Sequence, residues 1–305
     1  MSNTACVLDT LATVWYTDQL RLMEAAAYKR ITPALVARDV FPVDAAQNPY
    51  AKSISFMTFD ETGEAKVLAD GALDAPMGDL SASETEYPVV FIGAGFDQSN
   101  WDIIAAQKLG VDLNARQVNN TYDRINRLIN KLIFHGDAAR GVIGLENDSS
   151  VTTTAATHGG WISGDSADYI LADLNVQYAR HQDTCLGAHP VTDILLPVKE
   201  YTYLSTKRSS AYSDRTLLQY LVECLPFIAA PANIHAVPEM KNFVSTDEYC
   251  VMYNKTPECM QAKIPQEIFF LPPEVHGFGQ RVLAGARCGG LHIHFPKSVD
   301  MMSGI

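Results

Sequence analysis

The sequence has no apolar run approaching the roughly 20 residues that a helix needs to span a bilayer, so no membrane-spanning helix is expected. Its first residues, MSNTACVLDTLATVW, carry no basic stretch ahead of an apolar core, which argues against a secretory signal. Positive charge is in deficit: 23 Lys and Arg stand against 35 Asp and Glu, a formal net charge of −12. A protein gripping nucleic acid over much of its surface needs the opposite balance or a dense basic patch. An acidic surface suits a container whose wall must not stick to packed nucleic acid. The six cysteines (Cys6, Cys185, Cys224, Cys250, Cys259 and Cys288) are widely spaced and form no C-x-x-C pair. That argues against a disulfide framework or a zinc ribbon, and it fits folding in a reducing cytoplasm. G-x-S-x-G, H-E-x-x-H and P-loop signatures are all missing. No catalytic residue and no cofactor is therefore expected.

What is present is an ordinary globular composition, 47% apolar over 305 residues, enough for two domains or for one with large extensions. Leu20, Leu22, Met23, Ala26 and Ala27 form a helical stripe over residues 18–30, which Pro33 stops. Ile54, Phe56 and Thr58 alternate as in a strand, and residues 89–92 form a short apolar run. Between them, residues 60–87 hold Asp60, Glu61, Glu64, Asp70, Asp74, Asp79, Glu84 and Glu86 against Lys66 alone. Their weak alternation suggests a long β-hairpin with little apolar matter to bury, whose partner lies elsewhere.

The clearest element is a helix over residues 112–135. Val118, Tyr122, Ile125, Ile129 and Leu132 recur at spacings of four and three, and Gly136 is a natural left-handed stop. A shorter helix is expected from Ser99 to Gly110. After a Ser/Thr-rich stretch, helix 167–181, strand 192–196 and helix 214–224 alternate as in an α/β unit, and residues 264–271 and 280–295 read as long strands.

Four constellations invite a chemical reading. Gly93-Ala94-Gly95 follows a strand, but Gln98 stands where a dinucleotide loop needs its third glycine, so a strand-to-helix turn is expected. Cys288, His292 and His294 share one parity and would face one way on a strand, a minimal metal set for a metal-dependent enzyme. Alternation on a half-exposed strand is the better account, since spacing places no further ligand nearby. His135 with Asp137, and His181 with Asp183, read as helix ends where a His complements the macrodipole. Arg116, Arg124, Arg127 and Lys131 on the long helix form either a solvated face or a counterpart for the acidic hairpin of a neighbouring copy.

The segment NRLINKLIFHGDAARGVIGLEN (residues 126–147) carries a helix, then G-D, then G-x-x-G-L. With GEAKVLADGALDAP, GAGFDQSNWDIIAAQKLG, DILLPVKEYTYLST, QEIFFLPPEV and ARCGGLHIHFP in that order, it resembles the major capsid proteins of tailed bacteriophages and, in a related version, encapsulin shells.

The resemblance implies an α+β chain with the Hong Kong 97-type capsid fold. Residues 1–43 would be an N-terminal arm and 60–87 an extended loop lying across a neighbour. Residues 44–59 and 88–149 would form a peripheral domain with its spine helix, completed by strands at 263–295. Residues 150–262 would form the axial domain, to which 296–305 return. The implied function is self-assembly into hexamers and pentamers of an icosahedral shell around double-stranded DNA, without sequence-specific binding. An encapsulin-like compartment is the alternative. Expected partners are other copies of the chain, a portal, decoration proteins and a separate scaffolding protein, since residues 1–43 are short for the scaffolding region that some relatives carry. The shell would be assembled in the host cytoplasm. Expected assembly contacts are Asp60, Glu61, Glu64, Lys66, Asp70, Asp74, Arg116, Arg124, Arg127 and Lys131.

Overall fold

In the computed structural model, residues 34–67, 77–108, 113–164, 166–209, 214–224, 230–241, 243–244 and 247–305 are described. The expected helix over residues 18–30 lies outside them. The chain enters through a short helix α1 (Ala37–Val40) and strand β1 (Val43–Asp44). Strands β2 (Ser53–Thr62) and β3 (Asp79–Pro88) pair antiparallel along their whole length, from Ser53 opposite Pro88 to Thr62 opposite Asp79. β4 (Val90–Ser99) runs into α2 (Asn100–Lys108), followed by α3 (Leu113–His135). Then come β5 (Thr152–Ala155), α4 (Trp161–Gly164), α5 (Ala167–Cys185), β6 (Asp193–Leu196), α6 (Val198–Thr206), α7 (Leu217–Cys224), β7 (Ile234–Ala236) and β8 (Tyr249–Tyr253). The chain closes with β9 (Met260–Lys263), β10 (Gln266–Phe270), β11 (Glu274–His276), β12 (Gly279–Cys288), β13 (Gly290–Ile293) and β14 (Val299–Ser303).

A five-stranded mixed sheet in the order β5-β14-β8-β6-β7 separates two hydrophobic cores. Strand side chains alternate between faces, so this sheet is apolar on both. Leu195, Val251, Tyr253, Val299 and Met301 join the first core, where Ile125, Ile129, Ile133 and Phe134 of α3 are buried. Ile194, Leu196, Cys250, Met252 and Met302 join the second, with Trp161, Ile170, Leu174 and Leu204. Both cores belong to one compact unit, Leu35–Ile305. In the second core Glu200 of α6 is buried. Burial, and then the neighbouring Glu248 carboxyl, push it up to about 7. Its folded value exceeds the unfolded one, so its contribution is intact below pH ~4.5 and is lost as pH rises toward 7. Glu200→Gln should therefore raise stability by about 1–3 kcal/mol at pH 8 and by little at pH 4. Equal melting shifts at the two pH values would contradict this.

Several sequence expectations need correction. Gly93-Ala94-Gly95 is no turn: all three lie within β4, opposite Gly285, Ala284 and Leu283 of β12. A methyl group on Gly95 would sit 2.8 Å from Leu283 Cδ2 and from Val282 O, so this glycine is there for close cross-strand packing. The strand expected over 280–295 breaks at Gly289, beside Gly290 with its φ of +80°, and its halves β12 and β13 enter different sheets. The strand expected from Ile264 begins instead at Gln266, beyond Pro265. The stripe on α3 is buried at Ile125, Ile129 and Leu132, but Tyr122 is exposed. Helix α5 continues a turn past His181, which is buried and pushed toward neutrality by that burial, so it does not complement a helix end as a charge. α7 begins at Leu217, three residues later than expected.

Candidate assembly surfaces

The β2–β3 hairpin has two chemically different faces. Residues directly opposite in an antiparallel pair project the same way. One face therefore carries Phe56 with Thr85, Ile54 with Tyr87, and Thr58 with Ser83, whose hydroxyls lie 2.6 Å apart. At its base Phe56 and Tyr87 stack, with ring centroids 5.8 Å apart. Tyr87 stacks on His292 at 4.1 Å, and Phe56 meets the His294 edge at 4.5 Å. Burial pushes His292 down to about 3, which keeps its ring neutral, and it lies 3.2 Å from the Gly289 carbonyl. These two histidines clamp the hairpin to the body. Cys288 is buried at the end of β12, with Sγ 3.4 Å from Gly290 N. Among the described residues, no group of three His, Cys, Asp or Glu could hold a metal ion.

The other face presents Met57, Phe59 and Leu80, at 62%, 60% and 58% exposure, with Ala82 opposite Phe59. Glu84 opposite Met57 and Glu86 opposite Ser55 flank it toward the base. Acidity had marked this hairpin in the sequence, and the exposed apolar face went unnoticed. Its signal was present: apolar residues at both parities, Ile54 and Phe56 against Met57 and Phe59, mean a strand with two partners.

Of the sequence-expected contacts, Asp60 and Glu61 lie on β2 opposite Ser81 and Leu80, with side chains outside the described residues. Glu64 and Lys66 are exposed in the segment beyond β2. Asp70 and Asp74 lie outside the described residues. Arg116, Arg124 and Lys131 are exposed on α3, and Arg127 is half-buried. At about 100° per residue these four fall within one arc of about 80°, away from the buried stripe. Among the described residues, no ion pair joins them to the hairpin's carboxylates.

A third exposed surface is the outer face of the β10-β12-β4 sheet. Ile92, Ala284 and Ala286 point inward to the first core, while Phe91 and Leu283 point away from it at 61% and 41% exposure. Between Phe91, Phe269, Leu271 and Leu283 lies a groove of about 490 Å³, lined also by Gly93, Gly95 and Gly285.

The loop after α3 explains why its glycines recur in the sequence signature. The last helical carbonyls need donors from outside the helix. Gly136, with φ +67°, supplies one to Leu132 O at 3.0 Å. Leu145 N reaches Ile133 O at 3.1 Å and Glu146 N reaches Phe134 O at 2.8 Å, so residues 145–146 run against the helix end. Asn147 holds the loop, accepting from Gly144 N at 2.7 Å and donating to Val142 O at 3.0 Å. The family profile described as "Major capsid protein" matches residues 63–305, a span that includes this loop, α3 and most of both cores. The chain belongs to the major capsid protein family.

The fold of this capsid protein agrees with that assignment. It superposes on the capsid of Myoviridae Phage XM1 with a TM-score of 0.81, at 16% identity, over 94% of this chain and 98% of that one. For Mycobacterium phage Ogopogo the TM-score is 0.65 at 9% identity, over 94% and 98%. For a virus-like particle from Pyrococcus furiosus it is 0.58 at 12% identity, over 87% and 90%. No curated protein sequence matches the chain. The α+β expectation holds, with the Hong Kong 97-type fold common to these shells. Among the described residues, no helix of the capsid protein is long and apolar enough to cross a membrane.

Proposed function

We propose that this capsid protein assembles into hexamers and pentamers of an icosahedral shell around the double-stranded DNA of a tailed phage, without reading its sequence. The family match over residues 63–305 carries this reading. The protein's work is geometric and it catalyses nothing. Many weak contacts, repeated in closed symmetry, make such a shell stable. The net charge of −12 keeps the wall from sticking to the genome.

Within the subunit, residues 1–43 are the arm, and 44–59, 88–149 and 263–295 the peripheral domain, which shares the first core with Leu195, Val251, Tyr253, Val299 and Met301 of the five-stranded sheet. Residues 150–262 and 296–305 are the axial domain, around the second core. The extended loop proposed at 60–87 rests on paired arms that begin at Ser53 and end at Pro88. Its distal acids, from Asp60 and Glu61 through Glu64, Asp70 and Asp74, meet the basic stripe of Arg116, Arg124, Arg127 and Lys131 on a neighbouring copy. Lys66 shares that segment. A separate scaffolding protein, a portal and decoration proteins complete a shell built in the host cytoplasm.

Negative-stain electron microscopy tests this, on the chain expressed alone and with its genomic neighbours. Closed shells or capsomer rings are expected, and DNA inside virions separates a capsid from a compartment for a cargo enzyme. Arg124→Glu with Arg127→Glu should reduce shells about tenfold while leaving the subunit folded, as expected for charges that set register at an interface. A monodisperse monomer under both conditions overturns the shell reading; normal shells from the double variant overturn the charge clasp alone.

A further inference from the structure

Among the described residues, the capsid protein carries two unpartnered apolar surfaces of matching chemistry. The first is the Met57, Phe59, Leu80 and Ala82 face of the hairpin. The second is the groove on the outer face of β4 and β12, walled by Phe91, Phe269, Leu271 and Leu283 and lined also by Gly93, Gly95 and Gly285. Soluble chains rarely leave such surfaces bare unless something covers them. We infer that the apolar face of the hairpin of one copy seats in the glycine-lined groove of a second copy. The inference rests on the shell reading, in which the chain meets itself, and assigns that contact to apolar side chains in the middle of the hairpin. The distal acids are a separate segment.

Charge and spacing support a second copy as the occupant. On β3, Glu86 stands four residues from Ala82, on the same face. On β12, Arg287 stands four residues from Leu283, likewise on one face. At about 3.3 Å per residue both intervals are about 13 Å. Laid with its apolar section over Leu283, the hairpin brings Glu84 and Glu86 toward Arg287. Among the described residues, that guanidinium binds backbone carbonyls, Pro49 O at 2.8 Å and Ala51 O at 3.0 Å. At the opposite end the groove is bounded by Arg281, already held by Asp97 at 2.7 and 2.9 Å, so the unbalanced positive charge lies at the Arg287 end.

The test is a charge swap in the full-length chain, co-expressed with its assembly partners and scored by particle counts in the microscope. Phe59→Asp alone and Leu283→Lys alone should each cut shells to about a tenth or less, because each buries an unpaired charge at the contact. The two together should restore most of the yield. Both positions are exposed, so the purified subunits should keep the wild-type circular dichroism and melting temperature. Phe59→Ser, which adds no charge, is the milder check and should lower the yield in the same direction. Singles that assemble normally overturn the docking, as does a double variant that stays as defective as its parents. Wild-type protein that forms no shell or capsomer at all brings down the shell reading first, and the docking with it.

Discussion

Gly144→Ala should be among the most damaging single-methyl additions in this protein, lowering stability by about 3–4 kcal/mol. A methyl group there would lie 2.4 Å from Gly136 N, 2.8 Å from Leu132 O and 2.9 Å from Gly136 Cα. All three are backbone atoms of the turn that ends α3, and none can move aside as a side-chain tip could. The same backbone makes the bonds that finish the helix, Leu145 N to Ile133 O and Glu146 N to Phe134 O. Pushing residue 144 outward therefore loosens two carbonyls whose residues are buried to the last atom. The melting temperature of the unassembled subunit should fall by on the order of 10 °C. Gly164→Ala is the control: it has open space and no positive φ, and should change stability by less than about 0.5 kcal/mol. Equal effects at the two positions would show that close packing at the helix end is not what the glycine serves.

How much of this was legible in the sequence follows from what kind of signal each element leaves. Helix α3 was read to within a residue because a long buried stripe repeats over many turns, and because Gly136 marks its end. The hairpin shows in the sequence through its polarity, but its arms begin at Ser53, inside the 44–59 segment that the family resemblance assigns to the peripheral domain. Strand pairing is a relation between distant segments, so alternation within one of them cannot say which partner it takes. Gly93-Ala94-Gly95 misled for the same reason. A glycine needed opposite a large cross-strand neighbour looks, in one dimension, like a glycine needed for a turn. His292 and His294 looked like ligands by parity, yet their rings serve to hold Tyr87 and Phe56, some two hundred residues away in sequence. The groove on the outer sheet was invisible because it is made jointly by β4, β10 and β12.

Arg180→Ala should cost about 3–5 kcal/mol, the second large effect, and it probes how the two cores are joined. Arg180 of α5 grips Asp300 of β14 with two nitrogens, Nε reaching Oδ2 at 2.7 Å. The Asp300 side chain is almost fully buried, and Gln177 Nε2 donates to its backbone carbonyl at 3.1 Å and to Cys250 O at 3.3 Å. Removing the guanidinium leaves a carboxylate inside the protein without its counter-charge, and the penalty is mainly that desolvation. It follows that Arg180→Met combined with Asp300→Leu should be far less harmful than Arg180→Ala alone, because it removes both charges and keeps the volume. Urea unfolding of the unassembled subunit measures all three chains. β14 lies in the sheet whose two faces feed the two cores, so loosening α5 from it should shift one cooperative transition rather than split off a second. A double variant as unstable as the single would mean that the pair contributes through geometry specific to Arg and Asp. Two separated transitions would mean that the second core unfolds on its own, and that the shared sheet transmits less between the halves of the subunit than its burial implies.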